Sequence, residues 1–198
     1  MGLDKSPVSS LKGVGPALAS KLAKIGIFTL QDILFHLPFR YEDRTRITPI
    51  GVLTPRQTAV LQGEIVSTDI AYGRRRSLLV YLQDSTGRIA LRFFHFTKAQ
   101  QQNLASGRQI RCFGEVRPGA TGLEIYHPEY SQNFSAELPN HFTPVYPGTE
   151  GVSQQRYRKI VSQVFDLMSR GDELDELMAG AENPLEMGIS YALDLVHN

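Results

Sequence analysis

The sequence predicts a mixed α and β protein: a five-stranded β-barrel preceded by a helical hairpin and followed by further helices. Three observations carry this expectation. The apolar period is helical up to Leu37, changes to two at Thr58, and becomes helical again after Ser153. Glycine-containing turns at Gly73–Arg76, Asp84–Gly87 and Pro118–Gly122 separate the alternating runs. A short helical segment, Lys98–Leu104 with Gly107 after it, falls between the third and fourth runs. Five strands in that order, with one helix between the third and fourth, match the OB-fold. Residues 1–45 are expected to form a helical segment resembling a helix-hairpin-helix, 46–132 the barrel, and 133–198 an extended linker with a helical segment.

Residues 1–10 read as a frayed lead. Pro16 suits a first helical turn, where its missing N–H would go unpaired anyway. Leu18, Leu22 and Ile25 make an apolar stripe, and Gly26 is a good stop. Thr29 is placed to cap a second helix that carries Leu30, Ile33, Leu34 and Leu37 and closes at Pro38. The turn Gly13-Val-Gly15 before the first helix has a shape that binds phosphate through backbone N–H groups, which makes Gly13 and Gly15 candidate phosphate contacts. Two glycines also serve a plain tight turn. Phe39–Arg44 mixes charges around aromatic rings and reads as an ion-paired joint.

The first strand starts at Thr58 with Ala59, Leu61, Gly63 and Ile65 in one row, and runs to Ile70 through a bulge at Ser67–Asp69. In the second, Leu78, Val80 and Leu82 alternate with Leu79 and Tyr81, so both faces are expected to be covered. The third is Arg88–Phe96. Ile110, Cys112, Gly114 and Val116 form the fourth; Leu123, Ile125 and His127 finish the set before Pro128. Thr143–Pro147 is extended, and Ser153 caps a helix with Tyr157, Ile160, Val161, Val164, Phe165 and Met168 on one face. Residues 172–182 are acidic, with an apolar edge of Leu174, Leu177 and Met178. Ile189–Val196 stops without a cap and reads as a truncation point.

The net charge of +1 conceals an asymmetry. Residues 1–39 carry +2, residues 40–117 carry +7 and residues 118–198 carry −8. A basic middle is the electrostatic footprint of a nucleic-acid binder. Within it, the third strand alternates a core row, Ile89, Leu91 and Phe93, with a wet row, Arg88, Arg92 and Phe94. Guanidinium groups neutralise phosphate and a flat ring stacks a base, so this row suits single-stranded nucleic acid. The bland alternative is a solvated sheet face. Gly73-Arg74-Arg75-Arg76 adds a basic turn between strands one and two, one rim of the face by which OB-folds hold oligonucleotides.

Other chemistry is missing from the sequence. No Gly-x-x-x-x-Gly-Lys-Ser/Thr loop cradles a nucleotide. The single cysteine, Cys112, excludes an internal disulfide and a cysteine zinc site. Histidines 36, 95, 127, 141 and 197 are scattered, and no nucleophile motif joins a Ser/His/Asp set. No apolar run approaches the roughly 20 residues of a membrane helix. With no signal pattern at the N-terminus, a cytoplasmic protein without membrane contact is expected. A protein-interaction module is the alternative function, since OB-folds also bind peptides.

The blocks Leu11-Lys-Gly-Val-Gly15, Leu34-x-His-Leu-Pro-x-Arg-Tyr-Glu-Asp-Arg44, Gly87-x-Ile-x-Leu-Arg-Phe-Phe-x-Phe96, His127-Pro-Glu-Tyr130 and Thr143-Pro-Val-Tyr-Pro-x-Thr-Glu-Gly151 occur in this order. Together they resemble the RecG family of bacterial ATP-dependent DNA helicases. The resemblance implies the N-terminal wedge region of a helicase that remodels stalled replication forks and Holliday junctions in recombination and repair. Motor domains holding ATP and Mg²⁺ would follow Asn198. This chain by itself would hold no cofactor and show no ATPase activity. The implied partners are branched DNA and a single-stranded-DNA-binding protein, and the implied state is a monomer. The aromatic that stacks on the base left unpaired at the branch maps to Phe94. Some members have a second aromatic shortly after; here the neighbourhood is Thr97-Lys98-Ala99, and Lys98 is expected to meet phosphate instead.

Overall fold

The computed structural model describes residues 2–73, 75–120, 122–133, 137–148, 151–170 and 188–198. Arg74 and the acidic stretch 172–182 lie outside the described residues. In chain order the elements are α1 (Pro16–Ala23), α2 (Leu30–Phe35), β1 (Arg40–Glu42), β2 (Thr58–Ala71), β3 (Ser77–Gln83), β4 (Arg88–Phe93), α3 (Lys98–Asn103), β5 (Gln109–Gly119), β6 (Gly122–Tyr126), β7 (Glu129–Ser131), β8 (Thr143–Val145), α4 (Gln154–Met168) and α5 (Ile189–His197). Two compact units result, Asp43–His141 and the flanking segments Met1–Glu42 with Phe142–Asn198.

In the first unit the strands are hydrogen-bonded in the order β2-β3-β4-β6-β5-β7, and β2 also pairs with β5. The ring β2-β3-β4-β6-β5 therefore returns to its start, with β4–β6 parallel and the other pairs antiparallel. This is the OB-fold connectivity, with α3 between the third and fourth ring strands as expected. The length of β2 makes closure feasible. Its first half, Thr58–Glu64, pairs with β5, and its second half, Glu64–Ala71, pairs with β3. Gly63 sits at the changeover, where an added Cβ would lie 2.3 Å from the Gln83 carbonyl oxygen. The bulge falls between Ile65 and Ser67, slightly earlier than expected.

Alternation puts Leu61, Leu78, Leu82, Leu91, Val116 and Ile125 fully inside. Each such side chain contributes on the order of 1.5–3 kcal/mol. Leu79 and Tyr81 are only half-buried, so β3 is covered fully on one face, not both. Burial pushes the Cys112 thiol up to about 12, as suits an inert core residue. Two features go beyond the five expected strands. β7 pairs with the outer edge of β5, and His127 turns out of β6 with φ +47 instead of extending it. The expected joint is ion-paired: Arg44 makes two hydrogen bonds to Glu129, at 2.8 and 3.1 Å, and its guanidinium lies 3.7 Å from the Phe113 ring centroid.

In the other unit, segments expected to be separate share one core. Leu18 and Leu22 of α1, Ile33 and Leu34 of α2, and Ile160 and Val164 of α4 are all buried in one cluster. The supposed frayed lead belongs to it, with Leu3 and Val8 buried. Thr29 forms a reciprocal capping box with Asp32, and Ser153 accepts from the Arg156 N–H. β1 and β8 pair as a two-stranded sheet, Arg40 opposite Val145. α5 buries Leu193 and His197. Among the described residues no helix is long and apolar enough to cross a membrane.

Candidate nucleic-acid interface

The outer face of β3, β4 and β6 is built by register. Leu79 lies opposite Arg92, Gln83 opposite Arg88, and Tyr126 beside Arg92. Arg88 is exposed, and its guanidinium lies 4.8 Å from the Tyr81 ring centroid. Arg92 is engaged within the protein. Its Nε and Nη2 donate to the two Glu124 carboxylate oxygens at 2.7 and 2.9 Å, and Nη1 donates to the Ser77 hydroxyl at 3.0 Å. Glu124 is 2% exposed, so the carboxylate of the pair is buried at the base of the face while Arg92 keeps partial access to water. The hydrogen bonds to Glu124 raise the guanidinium pKa further, and Arg92 stays charged.

Phe94 stands one residue past the end of β4, half-buried, with its ring outside the core that holds Phe93. The Tyr126 ring meets it edge-on at 5.3 Å, and His127 tilts against it at 5.6 Å. The Phe94 N–H donates to Nε2 of His127 at 3.3 Å. Burial first, and neighbouring His95 second, lower the His127 pKa, which keeps that nitrogen free to accept. Arginines flank these rings: Arg75 lies 5.9 Å from the Phe94 centroid, Arg76 5.1 Å from Phe96, and Arg117 5.8 Å from Tyr126. Cations near ring faces within about 6 Å are mutually attracted. Lys98 opens α3 and is exposed, after Thr97 caps the helix.

The structure thus brings Arg75 to the Phe94 ring, Arg76 to Phe96 and Arg92 beside Tyr126, while Arg88 lies at the other end of β4 against Tyr81 and Lys98 opens α3. Gly13 and Gly15 belong to the other unit. Sequence reading missed Tyr126 and His127, which reach Phe94 through the parallel β4–β6 pairing, and Arg117, which reaches Tyr126 through the antiparallel β5–β6 pairing. It also missed Tyr72, 81% exposed on the rim turn itself, although its place beside Gly73 was a visible signal.

A protein-family model described as the RecG wedge domain matches residues 7–168. The chain belongs to the RecG wedge-domain family. It is 42% identical to the ATP-dependent DNA helicase RecG of Escherichia coli K12 and 43% identical to that of Haemophilus influenzae, over 98% of this chain in each case. The helicase RecG of Thermotoga maritima is 33% identical over 77% of the chain. The match covers 28% of the E. coli and H. influenzae proteins, so the chain spans just over a quarter of the length of these curated relatives. A solved structure of RecG bound to a three-way DNA junction superposes with a TM-score of 0.76 at 29% identity, over 97% of this chain and 27% of that one. The RecG likeness therefore extends through both units.

Proposed function

We propose that this chain is the junction-binding wedge portion of an ATP-dependent DNA helicase acting on forks and four-way junctions. The observation that carries the reading is the Phe94 ring, held outside the core at the strand end and flanked by Tyr126 and Arg75. The RecG structure on a three-way junction and the helicase names of the relatives support it.

Opening a base pair forfeits stacking of about 1–2 kcal/mol per step. A ring that stacks the exposed base returns about 1–3 kcal/mol. Phe94 can thus hold a branch open without fuel. Arg75 and Arg76, and with them Arg74 as the sequence suggests, neutralise phosphates and orient the arms without reading sequence, and Arg88 and Lys98 extend the basic surface. Arg92 acts differently from a free phosphate contact: bound to Glu124 and Ser77, it stiffens the floor on which Tyr126 sits.

ATP and Mg²⁺ belong to this reading only through the longer relatives. No nucleotide-cradling loop occurs in the sequence, and among the described residues no cluster of three or more His, Cys, Asp or Glu could hold a metal. No step here runs through them.

The test is binding of this chain to a labelled three-way fork and to a plain duplex at two salt concentrations. Tighter, salt-sensitive binding of the fork than of the duplex is expected, and Phe94→Ala should remove that preference. Equal binding of fork and duplex by the unaltered chain would overturn the reading, and salt-insensitive binding to a protein would favour the interaction-module alternative.

A further inference from the structure

We propose that the helical unit carries a second nucleic-acid contact, a seat for the phosphate backbone of a duplex arm, formed by Lys12, Lys21, Arg156 and Lys159. The proposal rests on the preceding reading only in taking branched DNA, with its duplex arms, as the ligand.

The seat is a cleft of about 300 Å³ whose walls include Lys12, Gly13, Arg156, Lys159 and Gln163. A neighbouring hollow of about 200 Å³ shares Arg156 and adds Gly15 and Lys21. Four cations therefore line the two spaces, and no Asp or Glu does among the described residues. A cleft lined by one sign of charge focuses its field and concentrates counter-ions.

The backbone at Lys12 and the charged ends of Arg156 and Lys21 are held by hydrogen bonds. The Lys12 N–H donates to Oε1 of Gln163 at 3.0 Å, and Nε2 of Gln163 donates back to the Lys12 carbonyl at 3.2 Å. Nη2 of Arg156 donates to the Gly13 carbonyl at 3.0 Å. These bonds tie the Leu11–Gly15 loop to α4. Nζ of Lys21 donates to the Gly151 carbonyl at 3.3 Å. The ammonium groups of Lys12 and Lys159 have no hydrogen bond or ion pair among the described residues. Neither α1 nor α4 has an acidic residue in its first turn, whereas α2 has Asp32. Arg156 stands in the first turn of α4, where the backbone dipole disfavours a cation and a bound anion offsets that repulsion, whereas Lys21 lies in the last turn of α1.

The lining also decides which anion. Among the described residues no aromatic ring lines either space, so bases have nothing to stack on. The contact is to phosphates alone, which suits a duplex backbone and carries no sequence preference.

The test uses a short blunt duplex, which offers Phe94 no unpaired base. Its binding by the unaltered chain, by the double variant Lys12→Gln/Lys159→Gln and by Phe94→Ala is followed by fluorescence anisotropy across a salt series, with melting curves to confirm folding. Each lost phosphate contact lowers the slope of log K against log salt by about 1, so the double variant should show a slope shallower by about 2. Its duplex affinity at low salt should fall about tenfold or more. Phe94→Ala should keep the unaltered slope. An unchanged slope and affinity in the folded double variant would sink the proposal. So would the absence of duplex binding by the unaltered chain, or preferential binding of an acidic peptide over the duplex. Fork selectivity that survives Phe94→Ala would remove the barrel reading while leaving the slope measurement intact.

Discussion

Phe93 and Phe94 are adjacent and chemically identical, yet their variants should fail in opposite ways. Phe93 is 3% exposed, with Tyr130 edge-on at 5.9 Å. Phe93→Ala should lower unfolding stability by about 3–5 kcal/mol in urea titration. Phe94→Ala should leave the melting curve near that of the unaltered chain and weaken fork binding by about 1–3 kcal/mol, the value of one stacked base. Strand parity made this division legible in the sequence. Parity did not reveal the partner of Arg92. Its side chain points to the wet row as expected, but Glu124, thirty-two residues on, takes its guanidinium. Arg92→Ala would leave a buried carboxylate unpaired, so a loss of DNA binding in that variant would mix folding with contact. Glu124→Ala separates the two. It should destabilise by up to about 3 kcal/mol, the low end for breaking a buried pair, because Arg92 can still reach water. Chemical denaturation of the two variants would check the ranking.

Among the elements, α5 depends on one titratable contact. Nε2 of His197 lies 2.8 Å from the Leu34 carbonyl, and Nδ1 lies 2.8 Å from the Tyr146 hydroxyl. The neutral ring satisfies both if Nε2 carries the proton and Nδ1 accepts. Burial lowers the His197 pKa, with the Leu34 hydrogen bond opposing. An unfolded histidine titrates near about 6.5. Above that value both states are neutral and the full stability is present. As pH falls below it, the unfolded chain binds a proton first, so stability declines until the lower folded pKa is reached. The helical unit should therefore melt earlier at about pH 5.5 than at about pH 7.5, and His197→Gln should flatten that difference. Hydrogen exchange along α5 would read it directly. In the sequence, His197 was one of five scattered histidines, because its partners come from residues 34 and 146 and only folding brings them together. By contrast, the start of α2 was readable, since Thr29 and Asp32 lie within one turn.

For the whole chain, the charge of +7 over residues 40–117 implies that fork binding weakens steeply with salt, roughly one power of salt concentration for each phosphate neutralised. A flat salt response in an anisotropy titration would contradict the assignment of Arg75, Arg76 and Arg88. The sequence by itself determined what is local and periodic: the two-residue alternation of the ring strands, the helix between the third and fourth, the caps at Thr29 and Ser153, and the basic rim turn. Each depends on residues a few positions apart, where hydrogen-bond and side-chain geometry repeat. Its recurring blocks also pointed to the RecG family. Tertiary structure alone decided the rest. The N-terminal and C-terminal segments share one core because neither amphipathic face can be buried by itself. β7 was hidden because a three-residue edge strand carries almost no pattern. Tyr126 reached Phe94, and Lys12 came to line one cleft with Lys159, through pairings between segments far apart in the chain, and such pairing has no signature in either segment read alone.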